Sequence, residues 1–231
     1  MNKFIGIEAH GTRPLCADIR SLIVAGWTGR DARAVELHIR ELEAIGVRRP
    51  ATVPVYYRVA ADSLTGAPRI EVAGRQSTGE VEVVLVRIED ELWVGVGSDH
   101  TDRELEKQSV SLSKQICVKP MAPSLWRFDD VADHWDTLEL RSHAVIGGER
   151  RPYQKGAVSA MRPPDDLIGG FCRAANLATR ELPEGAAMFC GTLPVLGTLE
   201  FAERFEFELH DPCLQRSIRH AYDIEALPLS D

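Results

Sequence analysis

The pattern of apolar and polar positions divides the chain into a short N-terminal part that mixes strands with a helix and a longer part made mainly of strands. Apolar runs at residues 3–9 and 19–25 predict two strands, and the turn-rich stretch between them suggests a hairpin. Apolar residues at three-to-four spacing from Val35 to Ile45 then predict a helix, with Gly46 and Pro50 as stop signals. We therefore expect residues 1–50 to form a small α/β subdomain.

The remaining residues, 51–231, are expected to form the main domain. Short β-type runs separated by Gly and Pro predict strands at residues 53–59, 69–73, 79–88, 92–96, 138–146, 187–191 and 204–209. A helix is expected at residues 164–176, where Asp165 and Asp166 favour a helix start and Leu167 and Phe171 belong to an apolar stripe. The predicted fold class is α+β and rich in strands.

Composition and charge narrow the classes of partner. The net charge of −8 and the pI near 5.4 would repel a phosphate backbone, so we expect no nucleic-acid partner. No apolar run is long enough to span a bilayer, and the start lacks a secretory signal, so we expect a cytoplasmic protein without a membrane partner. Five scattered cysteines without C-x-x-C spacing predict reduced, mostly buried thiols.

Two glutamates stand where a strand becomes apolar. Alternation places Glu80 and Glu82 on the same strand face as Val84 and Val86, so Glu82 is expected near the edge of a buried region. A buried carboxylate without a partner is costly, and a cation would relieve that cost. Because Asp99 follows the next strand, three carboxylates could supply the oxygen ligands that Mg²⁺ or Mn²⁺ prefers. From the residues alone, an ordinary solvated strand face remains an alternative.

Further motifs follow these carboxylates in order. They are Glu80-Val81-Glu82, Ser98-Asp99-His100-Thr101-Asp102-Arg103-Glu104, Ser113-Lys114-Gln115 before Pro120-Met121-Ala122-Pro123, and Leu182-Pro183-Glu184-Gly185 before Cys190-Gly191-Thr192-Leu193-Pro194. In order and approximate spacing, this series resembles the motifs of the fumarylacetoacetate hydrolase superfamily across residues 53–225. The whole chain also resembles an uncharacterised bacterial family of unknown function.

The resemblance implies a rolled mixed β-sheet core and assembly as a homodimer or a higher homo-oligomer. It implies that Glu80, Glu82 and Asp99 are metal ligands and that Lys114 contacts the substrate or transfers a proton. It also implies that the Gly191 backbone and Thr192 hold a substrate carboxylate.

Four neighbouring side chains complete the set of candidate site residues. His100 is a second candidate for proton transfer. Arg103 either meets the substrate or anchors its loop through Asp99 or Asp102. Tyr57 and Arg58 either line the pocket or serve packing.

One departure from the superfamily bears on the reaction. Hydrolytic members carry an H-x-x-E arrangement that activates water, and residues 53–62 contain no such pair. We therefore expect a metal-dependent enzyme that acts on a small anionic 2-oxo or β-diketo acid through a metal-stabilised enolate, as a lyase, hydratase or decarboxylase. The alternatives are an acylpyruvate-type carbon–carbon bond hydrolase with another base, and a non-catalytic protein of the same fold that binds small acids.

Overall fold

The computed structural model describes residues 1–8, 11–44 and 49–230. The strands are β1 (Asn2–Glu8), β2 (Gly11–Ala17), β3 (Ser21–Gly26), β4 (Val55–Val59), β5 (Leu64–Thr65), β6 (Arg69–Ala73), β7 (Ser77–Thr78), β8 (Val81–Ile88), β9 (Glu91–Ser98), β10 (Thr101–Asp102), β11 (Lys119–Pro120), β12 (Ser124–Arg127), β13 (Glu139–Ile146), β14 (Glu149–Ala157), β15 (Ala186–Thr192), β16 (Arg204–Asp211) and β17 (Arg216–Leu227). The α-helices are α1 (Ala32–Ala44), α2 (Arg103–Glu106), α3 (Val110–Gln115) and α4 (Pro164–Ala174), and short 3-10 helices lie at Ala61–Ser63, Phe128–Asp130, Ala132–Thr137 and Val158–Ala160.

The larger sheet is mixed and has eight strands in the order β2-β1-β12-β9-β8-β15-β3-β4. The pairs β1–β12 and β15–β3 are parallel, and the other neighbouring pairs are antiparallel. Residues of the central strand β8 are almost all buried, so both faces of the sheet are covered there. Pro14 lies on the edge strand β2, where a missing backbone N–H breaks no ladder bond with a further strand.

The smaller sheet has five strands in the order β14-β13-β16-β17-β6. In β16, Phe205, Phe207 and Leu209 are buried and alternate with partly exposed charged residues, as expected for a sheet with one face on the core. These inward side chains pack with Val83 and Val96 of the larger sheet. The principal apolar core therefore lies between the two sheets.

A second apolar cluster covers the opposite face of the larger sheet. It includes Val84 and Val86 of β8, Trp93 of β9 and Phe189 of β15. Since Glu82 shares its strand face with Val84, this second face is the one on which the carboxylates lie.

Most of the elements predicted from the sequence are confirmed. Helices α1 and α4 and strands β4, β6, β8, β9, β13, β15 and β16 all form, with ends within a few residues of those expected. The predicted end of α1 at Gly46 lies outside the described residues. The predicted fold class, a strand-rich α+β fold with large mixed sheets, is likewise confirmed.

The N-terminal hairpin prediction is wrong in its pairing. Strand β1 pairs with β2, which occupies the stretch taken as a turn, whereas β3 pairs with β15 and β4 at the other side of the sheet. All three N-terminal strands belong to the eight-stranded sheet. The boundary at residue 50 therefore does not separate two sheets.

The cysteines are free thiols, as the sequence predicts. Cys117, Cys172 and Cys190 are buried, and Cys16 and Cys213 are exposed. In the part of the chain that the structure describes, no helix is both long enough and apolar enough to cross a membrane.

Candidate metal and acid-binding site

Three carboxylates converge where β8 begins and β9 ends. Glu82 lies opposite Gly97 in the antiparallel pair, and the backbone N–H of Asp99 donates to the carbonyl of Glu80 at 2.9 Å. Strand alternation puts Glu80 and Glu82 on the same face. One carboxylate oxygen from each of Glu80, Glu82 and Asp99 can be chosen so that all three lie within 4.8 Å of one another. The structure therefore brings together the three residues that the sequence proposes as metal ligands.

Glu82 and Asp99 are two buried carboxylates in one place. Glu82 is 2% exposed, and the backbone N–H of Gly191 donates to its Oε2 at 2.7 Å. Burial, reinforced by the nearby charge of Asp99, raises the pKa of Glu82 well above its usual value. Burial opposes ionisation of Asp99 as well, but the ammonium groups of Lys114 and Lys119 outweigh it and lower the pKa of Asp99. A cation bound beside Glu82 would relieve the cost of ionising this buried carboxyl group.

Lys114 brings an ammonium group to the same cluster from the end of α3. Its Nζ donates to Asp99 Oδ2 and lies 4.0 Å from Glu80 Oε2, and the side chain is only 8% exposed. Burial by itself would lower the pKa of Lys114, but the negative charges of Asp99 and Glu80 outweigh it, so the pKa is raised. Lys114 is therefore a charged group held against two of the three carboxylates.

Arg103 anchors Glu80. Its Nη2 lies 3.0 Å from Glu80 Oε1, its Nη1 donates to Glu106 Oε2 at 2.9 Å, and its Nε donates to Thr78 Oγ1 at 2.7 Å. Arginine forks commonly fix carboxylates in this way. Of the two roles expected for Arg103, these contacts match anchoring. Its partners, however, are Glu80 and Glu106 rather than Asp99 and Asp102.

The donor set fits a hard divalent cation. Three carboxylate groups are the ligand type that Mg²⁺ and Mn²⁺ prefer. Asp99 Oδ1 is buried and accepts no hydrogen bond from the residues described, although Lys119 Nζ lies 3.4 Å away. A buried oxygen without a hydrogen bond, on one of three clustered carboxylates, is what a cation site needs. Glu80, Glu82 and Asp99 would hold the ion.

His100, the second candidate for proton transfer, has its ring hydrogen-bonded away from the carboxylates. Its Nδ1 is 2.8 Å from the hydroxyl of Tyr222 and its Nε2 is 2.9 Å from Ser77 Oγ, so both ring nitrogens are engaged away from the cluster. Asp99 and His100 lie in the loop between β9 and β10, where the two side chains point in different directions. Burial, together with the positive charges of Lys119 and Arg103, lowers the pKa of His100 to about 3. These contacts give His100 no path to a substrate at the carboxylates.

The proposed pocket residues Tyr57 and Arg58 are divided between the two faces of β4. The Tyr57 ring centroid lies 5.9 Å from Lys114 Nζ, so this side chain borders the cluster. Burial raises the pKa of Tyr57, which keeps its phenol protonated. Arg58 is exposed and its side chain points the other way, because neighbouring residues of a strand alternate.

Gly191 and Thr192, the two residues expected to hold a substrate carboxylate, point to different places. The Gly191 N–H reaches the cluster through Glu82, and the positive φ of 97° at Gly191 accompanies a shift in the β8–β15 register. The Thr192 hydroxyl instead donates to the carbonyl of Val81 at 2.8 Å and accepts from Gln154 Nε2 at 2.7 Å. Thr192 therefore ties β15 to β8 and β14, and only the Gly191 backbone faces the carboxylates.

Sequence reasoning missed two residues that border the site. Lys119 is fully buried, with its Nζ near Asp99. A single lysine inside the apolar run Ile116-Cys117-Val118-Lys119-Pro120-Met121 was the available signal, since charged residues are rarely buried without a role. Thr28 is buried above Gly191, and no motif pointed to it.

Solved structures with a similar fold support this architecture. They include Cg1458, at 15% identity and a TM-score of 0.63, covering 94% of this chain and 81% of that chain. A 2-keto-3-deoxyarabinonate dehydratase matches at 16% identity and a TM-score of 0.63, covering 94% of this chain and 78% of that chain. The 5-carboxymethyl-2-hydroxymuconate delta-isomerase of Mycobacterium smegmatis matches at 15% identity and a TM-score of 0.59, covering 95% of this chain and 82% of that chain. The fold expected from the resemblance to the fumarylacetoacetate hydrolase superfamily is thereby confirmed.

Sequence comparison places the chain in a family without assigning it an activity. A search of curated protein sequences finds no match. Residues 25–222 match the family described as "Protein of unknown function (DUF2848)". The chain therefore belongs to the DUF2848 family.

Proposed function

We propose that this protein is a divalent-metal-dependent enzyme that acts on a small 2-oxo or β-diketo acid, with lyase, hydratase or decarboxylase chemistry. The observation that carries the proposal is the convergence of Glu80, Glu82 and Asp99, with one Asp99 oxygen buried and unsatisfied. When bound there, Mg²⁺ or Mn²⁺ would supply Lewis-acid chemistry that stabilises negative charge developing on a 2-oxo acid.

The charges around the cluster favour an anionic substrate. Lys114, Lys119 and Arg103 already face the three carboxylates of Glu80, Glu82 and Asp99. A divalent cation added to this set would leave a local excess of positive charge, even though the whole chain is acidic. A small carboxylic acid would restore the balance.

Lys114 is our candidate for contact with the substrate. Its raised pKa keeps it protonated at neutral pH, so it can donate a hydrogen bond to a substrate atom that gains charge. Its ammonium lies beside Asp99 and next to the Tyr57 ring, which limits the directions from which a substrate can approach. The backbone N–H of Gly191 donates to Glu82 and so holds that carboxyl group in the cluster.

The similar structures favour lyase chemistry over hydrolysis. Their names describe a dehydratase of a 2-keto acid and an isomerase of a hydroxymuconate. Within the described ranges, no histidine side chain is hydrogen-bonded or ion-paired to Glu80, Glu82, Asp99 or Lys114, and His100 is engaged elsewhere. A water-activating histidine of the kind that hydrolysis would use therefore has no counterpart in this set of contacts.

The test is calorimetric titration of Mg²⁺ and Mn²⁺ into metal-stripped protein, with and without oxalate as a mimic of a 2-oxo acid. We expect oxalate to bind only in the presence of metal, and Asp99→Asn to weaken metal binding by more than about tenfold. Asp223→Asn is the control, because Asp223 pairs with Arg204 and lies outside the cluster.

Two results would contradict the proposal. Metal binding in Asp99→Asn equal to that of the wild type would remove the site, and oxalate binding without metal would favour a non-catalytic acid-binding protein. If metal and oxalate bind as expected, 2-oxo acids are then screened in ¹⁸O-labelled water. Cleavage into two acids with ¹⁸O in one of them would identify the hydrolase alternative instead.

A further inference from the structure

Lys119 is a lysine with no access to solvent. It lies in β11, is 0% exposed, and is one of the largest fully buried side chains. Its Nζ donates to the carbonyl oxygens of His100 at 2.8 Å, of Cys117 at 2.9 Å and of Lys114. An ammonium group has three protons, so these three carbonyl groups use all of its donors.

The three carbonyl groups belong to segments that carry the site. His100 directly follows Asp99, and Lys114 is the residue whose ammonium pairs with Asp99. Lys119 Nζ also lies 3.4 Å from Asp99 Oδ1, the oxygen without a hydrogen-bond donor. A single buried cation thus contacts both the loop after β9 and the end of α3.

Neutralising Asp99 is not a sufficient reason for Lys119 to be there. Lys114 already pairs with Asp99 Oδ2, and burying a second ammonium group has a large desolvation cost. An apolar side chain of similar length would avoid that cost, but it would leave three buried carbonyl groups without their donor. What Lys119 adds is a fixed geometry between two short segments that are not otherwise joined by a long helix or strand.

We propose that Lys119 is a positioning residue that fixes Asp99 and Lys114 relative to each other, so that one Asp99 oxygen stays free for a cation. This inference rests on the proposed function, because that proposal makes Asp99 a metal ligand. It assigns Lys119 no contact with substrate.

The first readout does not depend on metal. Metal-stripped wild type, Lys119→Met and Lys107→Met are treated briefly with an acetylating reagent, and the modified lysines are mapped by mass spectrometry. Lys107 is the control, because it is exposed on the loop after α2 and pairs with Glu104. We expect acetylation of Lys114 to become at least about tenfold faster in Lys119→Met alone, since its segment loses its tie, while Lys3 and Lys155 react as in the wild type.

The second readout is the affinity for Mg²⁺ with oxalate, measured below the thermal transition of each variant. We expect Lys119→Met to weaken it by about ten- to a hundredfold, as loss of a group that orients a metal ligand does, and Lys107→Met to leave it unchanged. A merely structural role would lower the thermal midpoint without changing the affinity of the folded protein. If Lys119→Met does not fold, Lys119→Gln, which keeps two N–H donors, replaces it and should give intermediate values.

The outcomes separate this inference from the proposed function. If Lys114 is acetylated as slowly in folded Lys119→Met as in the wild type, the positioning role is overturned. A tighter affinity of Lys119→Met for Mg²⁺ also overturns it, because Lys119 would then be a charge that competes with the metal. If the wild type binds no metal, the proposed function fails, and the acetylation of Lys114 still decides whether Lys119 holds that residue in place.

Discussion

At the residue scale, Glu82 holds a carboxylate where water cannot solvate it. Because its pKa is raised in the folded state, the metal-free protein keeps its full stability only below the unfolded-state pKa of about 4.3 and loses stability as pH rises through the folded-state pKa. We predict that Glu82→Gln removes this loss and raises the free energy of unfolding at pH 8 by about 1–4 kcal/mol. Urea denaturation of the metal-stripped wild type and variant at pH 5 and pH 8 measures this difference in the free energy of unfolding.

The matched substitution is Glu80→Gln, for which we expect the opposite sign. Glu80 pairs with Arg103, whose side chain is only 15% exposed, so removing the carboxylate leaves a buried guanidinium with fewer partners. Metal binding should be lost in both variants. Equal stability changes in the two would show that Glu82 is not the strained member of the pair.

Gly191 has no room for a side chain. A Cβ there would lie 1.7 Å from Thr28 Oγ1, and φ is 97°. We predict that Gly191→Ala lowers the free energy of unfolding by about 2–4 kcal/mol, the sum of a backbone cost and overpacking, and also weakens metal binding by moving the N–H that holds Glu82. Thermal denaturation and calorimetry measure the two effects.

Gly147→Ala supplies the comparison for that substitution. Gly147 also has a positive φ, of 60°, but nothing lies within 4 Å of a Cβ built on it. We expect only the backbone cost of about 1–2 kcal/mol there. Adding Thr28→Ala to Gly191→Ala should recover part of the loss; no recovery would mean that the Thr28 hydroxyl is not what limits the space.

At the scale of secondary-structure elements, Asp211 holds the turn between β16 and β17. Burial alone would raise its pKa, but hydrogen bonds from the Leu214 N–H, His134 and Arg216 outweigh it and lower the pKa. Its contribution to stability is therefore present above the unfolded-state pKa of about 3.9 and is lost as pH falls through the folded-state pKa.

We predict that Asp211→Asn lowers the free energy of unfolding by about 1–3 kcal/mol at pH 7 and by much less at pH 2. Urea denaturation at both pH values measures the difference. Asp223→Asn is the control, because its pair with Arg204 is exposed and such pairs contribute little. A difference of the same size at pH 7 and pH 2 would rule out Asp211 ionisation as the cause.

The same scale shows what the sequence could predict and what it could not. The E-x-E pair was predictive because a strand has a fixed two-residue period, so Glu80 and Glu82 had to share a face. Strand β14 was missed because most of its residues are polar and only Tyr153 and Gln154 are fully buried. The pairing of β3 with β15 could not be inferred, since no local pattern identifies a partner so far along the chain.

The site residues follow the same division. The sequence could predict that Asp99 meets the glutamates, because β9 directly follows β8. It could not predict the side to which His100 points, because that depends on the conformation of one loop. Lys119 was missed because its partners are carbonyl groups, which every residue has and no motif records. Contacts made through the backbone are therefore where sequence reasoning is weakest for this protein.

At the scale of the whole molecule, the cysteines report on the integrity of the fold. Cys16 and Cys213 are exposed, whereas burial raises the pKa values of Cys117, Cys172 and Cys190, that of Cys117 to about 11. We predict that two thiols react rapidly with a disulfide reagent at pH 8 and that all five react in guanidinium chloride. Rapid reaction of a third thiol in native protein would show that the structure opens locally around one of the buried cysteines.

The parallel pairing of β3 with β15 also has a consequence for synthesis on the ribosome. About 160 residues separate these strands, so at roughly 5–20 residues per second β3 waits roughly 8–32 s for its partner. Strand β4 can cover one edge of β3 early, but Leu22, Ile23 and Val24 remain open to other chains until β15 emerges. Nascent chains stalled before Ala186 should therefore be captured by chaperones, and release should also require β16 and β17, which complete the core between the two sheets. Binding at the carboxylates, which needs the Gly191 backbone, would then begin only after most of the protein has been translated.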